Sequence, residues 1–148
     1  MTKNRAFHIL LVEDNETDVK IILRAFQKND LHSTVHTVHD GEDALKYLLH
    51  EKPFHDLKKF PEPEIILLDV NMPRMDGHTF VREVRAIESV KDIPIIVFTR
   101  KEELKDLFRY EGVNDYVVKS IDMIDLIKKI KEILKFKKEF FSDPHNKS

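Results

Sequence analysis

Residues 65–69 of this 148-residue chain read Ile65-Ile66-Leu67-Leu68-Asp69, so four consecutive aliphatic side chains end directly in a carboxylate. An uninterrupted apolar run of this length is typical of a parallel strand that is covered on both faces of its sheet. We therefore expect a buried parallel strand here, with a charged side chain at its carboxyl end.

Similar short apolar runs occur on both sides of this stretch, and they predict four further strands. These runs are Ile9–Val12, Thr34–Val38, Ile95–Phe98 and Tyr116–Val118. Segments with helical spacing follow the strands, and the first carries the apolar residues Val19, Ile22, Leu23 and Phe26. Because strands and helices alternate, we predict an α/β fold: a doubly wound, five-stranded parallel sheet with five helices. The flavodoxin-like strand order 2-1-3-4-5 is expected by analogy with other doubly wound proteins.

Length and composition restrict the class of protein. The length suits one domain over residues 1–148, with a core at about 7–135 and an extension at 136–148. With 25 Lys and Arg against 27 Asp and Glu, the net charge of −2 favours neither nucleic acid nor an anionic membrane as a partner. The lack of cysteine excludes a disulfide scaffold. The apolar run at 7–12 is too short for a membrane span or a signal peptide, so we expect a cytoplasmic domain.

Polar residues with complementary chemistry stand where the predicted strands end. Strand 1 is followed by Glu13 and Asp14, strand 3 by Asp69, strand 4 by Thr99 and strand 5 by Lys119. The carboxyl ends of parallel strands share one edge of a sheet, and ligands bind at that edge. We therefore expect three carboxylates, a hydroxyl and an ammonium group to converge there.

Such a cluster suits a metal ion and a phosphoryl group. Neighbouring carboxylates repel one another, and a set of oxygen ligands without His or Cys favours Mg²⁺ or Mn²⁺. A lysine beside them is suited to an anion that joins the metal. These are the parts needed for phosphoryl transfer, with the aspartate at the strand end, Asp69, as the nucleophile.

Four stretches of the chain together resemble the response-regulator receivers of two-component signalling. The matching text is Leu11-Val12-Glu13-Asp14-Asn15, Leu68-Asp69-Val70-Asn71-Met72-Pro73-Arg74-Met75-Asp76-Gly77, Pro94-Ile95-Ile96-Val97-Phe98-Thr99 and Asp115-Tyr116-Val117-Val118-Lys119. Each stretch alone is a weak signal, but the set in this order is highly specific. The resemblance covers about residues 7–135.

The resemblance implies a phospho-acceptor and a metal site. Asp69 would accept the phosphoryl group. Asp14, Asp69 and the backbone carbonyl of Asn71 would bind Mg²⁺ or Mn²⁺ directly, and Glu13 would assist through water.

The resemblance also implies a switch, and this sequence departs from the family near it. Lys119 would pair with the phosphoryl oxygens, Thr99 would shift toward them, and Tyr116 would turn inward with Thr99. Receivers usually have a small residue after the switch hydroxyl and a proline after the lysine. Here these positions are Arg100, which we expect to modulate phosphate access, and Ser120.

The resemblance implies protein partners. A sensor histidine kinase would supply the phosphoryl group, and the 51–63 insertion, Lys119-Ser120 and the Phe-rich extension resemble stand-alone regulators of phytochrome-type kinases. The output would be protein binding through the fourth helix, fifth strand and fifth helix, or transfer to a histidine transfer domain. A homodimer would form through the same face or through the Phe-rich extension. The residues of that extension are Phe136, Phe140 and Phe141.

Other functions are less favoured by the residues. A phosphatase with an aspartyl nucleophile would have Asp-x-Asp, but the second position is Asn71, so we do not expect a turnover enzyme on small substrates. A pseudo-receiver scaffold would need a broken site, for which only Arg100 argues. The lysine-rich last helix is interpreted as a solvated face rather than a nucleic-acid site. The eight histidines are predicted to be scattered surface residues, not metal ligands.

Overall fold

A five-stranded parallel sheet lies at the centre of the computed structural model. The structure describes residues 6–69, 76–99, 112–119 and 123–142, with side chains for all of these except Thr99 and 136–142. The strand order β2-β1-β3-β4-β5 confirms the predicted topology, and every neighbouring pair is parallel. The strands are β1 (Phe7–Val12), β2 (Ser33–Val38), β3 (Ile65–Asp69), β4 (Ile95–Thr99) and β5 (Asp115–Val118).

Four helices occur in the described part of the chain. They are α1 (Glu16–Lys28), α2 (Gly41–Leu48), α3 (Gly77–Ala86) and α4 (Ile124–Ser142). The helix α4 is the last of the five predicted helices. The fourth predicted helix, with Leu104, Leu107 and Phe108, lies outside the described residues. None of the helices among the described residues combines the length and the apolar character that a membrane crossing requires.

The sheet is buried on both faces, as its aliphatic strands predict. Leu10 and Leu68 point to one face, where the buried side chains of α2 and α3 complete a core. Leu11 and Leu67 point to the other face, where α1 and α4 supply the covering side chains. The predicted apolar face of α1 is wrong at one position: Leu23 is 40% exposed, although its neighbour Ile22 is fully buried. The alternation of side chains along β1 and β3 therefore builds two cores from one sheet.

The helices α1 and α2, which follow β1 and β2, each begin at a side-chain cap. Asn15 Oδ1 accepts a hydrogen bond from the Asp18 amide at 3.0 Å, and Asp40 Oδ1 accepts one from the Asp43 amide at 2.9 Å. Asparagine and aspartate are among the residue types preferred at this position, so the sequence at Asn15 and Asp40 predicts both caps and the structure confirms them. Such caps satisfy amides that have no partner within the helix, so they define where the strand-to-helix turn ends. The predicted cap of the last helix, Asp122, lies outside the described residues.

The predicted loop at 51–63 packs on α2 through aromatic rings. Tyr47 lies 5.4 Å from Phe54 and 5.9 Å from Phe60 between ring centroids. The Tyr47 hydroxyl donates a hydrogen bond of 2.9 Å to the backbone oxygen of Pro61, and burial raises the pKa of Tyr47 to about 12. The insertion is therefore anchored to the domain by a neutral tyrosine.

Two histidines depart from the predicted scattered surface positions. His8 on β1 and His36 on β2 stack with ring centroids 5.5 Å apart, and His8 Nδ1 lies 3.3 Å from His36 Nε2. Both side chains are half-buried. Burial, followed by the charge of His8, lowers the pKa of His36. The parallel pairing of β1 with β2 brings these two residues together. Their contact cannot be inferred from the spacing of histidines within one strand.

Candidate functional site

Three of the predicted site residues meet at the carboxyl edge of the sheet. Glu13 directly follows β1, Asp69 is the last residue of β3, and Lys119 directly follows β5. Thr99 ends β4 at the same edge, but its side chain lies outside the described part of the structure. The register aligns these ends, because Asp69 pairs with Phe98 and the next residue of β4 pairs with Val118.

The ammonium group of Lys119 lies among three carboxylates. Its Nζ is 3.2 Å from Asp69 Oδ1 and 3.3 Å from Glu13 Oε1, as the sequence leads us to expect. The shortest of the three distances, 2.9 Å, joins it to Oδ2 of Asp18. The ammonium also lies 5.1 Å from the ring centroid of Phe98. Because Lys119 follows the edge strand β5 and Glu13 follows β1, this lysine crosses the end of the sheet to reach its partners.

Lys119 remains a cation in this environment. Burial opposes its charge, but Asp69, Asp18 and Glu13 outweigh that effect and raise the pKa of Lys119 above its ordinary value. A protonated amine at this position can neutralise an anion that arrives at the sheet edge.

The carboxyl group of Glu13 is the most strongly perturbed group of the site. Glu13 is 0% exposed, and its burial, together with a hydrogen bond and the charge of Asp69, raises its pKa to about 8. The Asn15 amide, which donates to Glu13 Oε2 at 3.1 Å, and Lys119 oppose this rise. Glu13 therefore keeps its proton at neutral pH when only Lys119 neutralises the cluster.

The remaining predicted site residues are not brought into this cluster by the described contacts. Asp14 follows Glu13 with an exposed side chain. Tyr116 on β5 is 41% exposed, an outward position rather than a packed one. Asn71 and Arg100 lie outside the described residues.

The donor set fits a hard divalent cation. Among the residues that the structure describes, no three side chains of His, Cys, Asp or Glu are arranged so that together they could hold a metal ion. Mg²⁺ and Mn²⁺ do not require three, because Mg²⁺ is usually held by one or two carboxylates together with waters and a phosphate. Three carboxyl groups, those of Glu13, Asp69 and Asp18, surround the single ammonium group of Lys119, so ionisation of all three leaves more negative charge than Lys119 neutralises. A cation beside Asp69 would remove that excess.

Sequence reasoning did not identify Asp18 as part of the site. From the sequence, Asp18 is interpreted only as an acidic residue that favours the start of a helix, and it does lie in the first turn of α1. A signal was available, since α1 begins three residues after Glu13 and its first turn must therefore lie beside the sheet edge. The sequence does not reveal how α1 is rotated about its axis. That rotation brings the Asp18 carboxylate to Lys119, which is 101 residues further along the chain.

The strand that carries Lys119 is held at its start by a second cation. The guanidinium of Arg85 on α3 donates hydrogen bonds to the backbone oxygens of Gly112 and Lys91, both at 2.7 Å, and of Ile93 at 2.8 Å. It also contacts Asn114 Oδ1 at 3.2 Å. The turn that leads into β5 is thereby tied to α3 and to the segment before β4.

Comparison with known proteins places the whole arrangement in one family. The family model described as the response regulator receiver domain matches residues 9–131. A probable methanogenesis regulatory protein, FilR2 of Methanothrix harundinacea, is 35% identical over 133 residues, which are 88% of this chain and 83% of that protein.

Response regulators of known structure are similar to this chain in sequence and in structure. Rcp1 of Synechocystis is 31% identical over 86% of each chain, and its Mn²⁺-bound crystal structure superposes with a TM-score of 0.69, covering 93% of this chain and 96% of that one. The phosphorylated cyanobacterial phytochrome response regulator RcpA gives a TM-score of 0.72 at 33% identity, over 88% of this chain and 93% of RcpA. The predicted resemblance to phytochrome response regulators is confirmed. With its sheet order, its lysine–carboxylate edge and a family model that spans most of its length, this chain belongs to the response-regulator receiver domains of two-component signalling.

Proposed function

We propose that this receiver accepts a phosphoryl group on Asp69 from the phosphohistidine of a sensor kinase. The observation that carries the proposal is the position of the Lys119 ammonium, 3.2 Å from Asp69 Oδ1 at the carboxyl edge of the sheet. A cation fixed beside the nucleophile neutralises the charge that a phosphoryl group brings, about −1.5 to −2 at neutral pH. Positioning and charge neutralisation are what phosphoryl transfer requires of a protein.

The transfer exchanges one bond to phosphorus for another. An oxygen of the Asp69 carboxylate attacks phosphorus, and the bond from phosphorus to the histidine nitrogen breaks. The departing nitrogen keeps the bonding electron pair and takes a proton from water. The product is an acyl phosphate on Asp69, whose new oxygens lie within reach of the Lys119 donors.

A divalent cation, Mg²⁺ or Mn²⁺, is proposed as the cofactor. Asp14, Asp69 and the backbone carbonyl of Asn71 would hold it, and Glu13 would assist through water. When bound, the cation would supply charge neutralisation for the phosphoryl oxygens. The three carboxyl groups around the single ammonium of Lys119 support this assignment, as does the Mn²⁺-bound form of the relative Rcp1.

Signalling would follow from changes around the new phosphoryl group. Thr99 would hydrogen-bond to it, and Tyr116, which is exposed in this structure, would turn inward. Arg100 follows Thr99 directly and would modulate access of water and small donors to the phosphoryl group. If Tyr116 is exposed in the unphosphorylated state and buried in the phosphorylated state, the surface around it differs between the two states. A partner protein can then bind one state in preference to the other.

The partners are proposed from the relatives. The printed descriptions of RcpA and of a regulator from R. palustris connect them with phytochrome and red-light signalling. We propose a phytochrome-type sensor kinase as the donor and a cytoplasmic location, for which a chain without cysteine is suited. Output would be binding of a target protein, or homodimerisation, through β5 and the helices on either side of it in sequence. Transfer onward to a histidine transfer domain is the alternative output.

The test is intact mass spectrometry after incubation with acetyl phosphate or a phosphorylated kinase domain, with Mg²⁺ or EDTA. The wild-type protein is expected to gain one phosphoryl group only with Mg²⁺, and Asp69→Asn is expected to gain none. Asp76→Asn serves as a matched control, because Asp76 caps α3 on the same side of the sheet. Its labelling should persist. If neither donor labels the wild type, the receiver is a non-phosphorylated scaffold and the proposal is wrong.

A further inference from the structure

Asp18 makes the shortest of the three ion pairs of Lys119, yet it lies outside the four stretches of sequence that carry the resemblance to the family. Its Oδ2 lies 2.9 Å from Lys119 Nζ, and its side chain is only 19% exposed. It comes from a helix, whereas Glu13 and Asp69 come from strand ends.

The ammonium group of Lys119 is shared among carboxylates in this arrangement. A lysine carries three N–H donors. Lys119 donates to Glu13 Oε1 at 3.3 Å and to Asp18 Oδ2 at 2.9 Å, and it forms an ion pair with Asp69 Oδ1 at 3.2 Å. A phosphoryl oxygen that accepts a hydrogen bond from Lys119 therefore competes with these carboxylates for its donors. Asp69 carries the phosphoryl group itself and Glu13 is buried beside it, which leaves Asp18 as the partner that can be released.

The position of Asp18 is set by rigid structure. Its backbone amide donates to the capping side chain of Asn15 at 3.0 Å, and its location in the first turn of α1 places its carboxylate in the favourable field of the helix N-terminus. A carboxylate fixed in this way holds a lysine more firmly than one on a mobile loop.

We propose that Asp18 is a positioning residue that holds Lys119 in the unphosphorylated site and competes with the phosphoryl oxygens for its ammonium. The inference rests on the proposed function and adds a regulator of it. Phosphorylation would draw Lys119 away from Asp18 and so uncouple the start of α1 from the end of β5. The strength of this ion pair would set how readily the site takes up and keeps a phosphoryl group.

The test compares Asp18→Asn with Glu16→Gln, each in the wild-type and in the Lys119→Met background. Glu16 is an exposed acid in the same helical turn, so its variant controls for net charge and for the helix dipole. The rate of phosphorylation by acetyl phosphate with Mg²⁺ is followed by intact mass. Because a charge-assisted hydrogen bond is about twice as strong as a neutral one, Asp18→Asn should speed labelling by roughly three- to tenfold. In the Lys119→Met background it should change labelling less than about twofold.

A second measurement does not depend on phosphorylation. In EDTA, Asp18→Asn should lower the urea midpoint of the protein with Lys119 intact, and it should change the midpoint little in the Lys119→Met background. If Asp18→Asn raised the labelling rate equally in both backgrounds, Asp18 would act by its electric field alone. If it lowered the rate, Asp18 would orient Lys119 for transfer. Either result would overturn the proposal that Asp18 competes with the phosphoryl oxygens for Lys119. If the wild type is labelled and Asp18→Asn behaves like Glu16→Gln, only this inference fails. If the wild type is not labelled, the proposed function fails with it.

Discussion

Glu13→Gln should stabilise the metal-free protein at alkaline pH far more than at acidic pH. Glu13 is fully buried against Asp69, and its pKa rises from the ordinary value of 4.5 to about 8. Between these values the unfolded chain has lost a proton that the folded protein retains, so the stability of the wild type falls as the pH rises through this window. One pKa unit corresponds to about 1.4 kcal/mol, which sets a ceiling of about 5 kcal/mol on the loss.

A realistic magnitude is smaller than this ceiling. Lys119 and the Asn15 amide both stabilise the charged form of Glu13, and relaxation of a buried site reduces such penalties further. We expect the free energy of unfolding of Glu13→Gln, relative to the wild type, to rise by about 2–3 kcal/mol between pH 5.5 and pH 8.5. Glutamine has nearly the shape of protonated glutamate and can donate to Asp69, so little else should change.

Urea denaturation in EDTA at these two pH values measures the effect. Subtracting the wild-type curve removes the contributions of other titrating groups, and Glu16→Gln, an exposed acid nearby, provides the matched control with a difference that should not depend on pH. Saturating Mg²⁺ should shrink the effect, because a bound cation stabilises the ionised carboxylates. A difference between Glu13→Gln and wild type that stays constant, or that falls with rising pH, would refute the assignment of a raised pKa to Glu13.

Three further perturbations follow from the structure. At pH 8.5, where Glu13 is ionised, Asp69→Asn should raise the urea midpoint in EDTA by a modest amount, because the relief of its repulsion with Glu13 outweighs one lost contact to the lysine; a lower midpoint at this pH would contradict the prediction. His36→Gln should lose less stability than the wild type between pH 7 and pH 5, because a half-buried histidine with a lowered pKa resists protonation when folded; His39→Gln, at an exposed position, is the control. Arg85→Ala should destabilise the fold by about 2–4 kcal/mol in urea titrations, since three backbone oxygens lose a charged donor, and a loss below about 0.5 kcal/mol would show that water replaces it.

The elements of the fold were predictable because they depend on local pattern. The runs at Ile9–Val12 and Ile65–Leu68 are buried strands, and the caps at Asn15 and Asp40 begin helices as their residue types indicate. Strand order came from analogy rather than from the residues. The exposed Leu23 shows that helical spacing alone does not predict which apolar residues of a helix are buried. The apolar stripe of α1 is wider than the part of the helix that packs on the sheet.

Contacts between distant segments were less accessible to sequence reasoning. His8 and His36 meet only because β1 and β2 pair in parallel with a particular register. Asp18 reaches Lys119 only because α1 packs with a particular rotation against the sheet. Neither the register of β1 against β2 nor the rotation of α1 can be inferred from the residue types alone.

By itself the sequence determined which chemistry stands at the ends of the strands, because a parallel sheet brings every carboxyl end to one edge whatever the details of packing. Glu13, Asp69 and Lys119 were therefore identifiable as neighbours. Only the tertiary structure decided how they share charge: which carboxylates Lys119 contacts, and that Glu13 keeps its proton near neutral pH. The physical reason is that a pKa depends on desolvation and on distances of a few ångströms, and both arise only when the chain has packed.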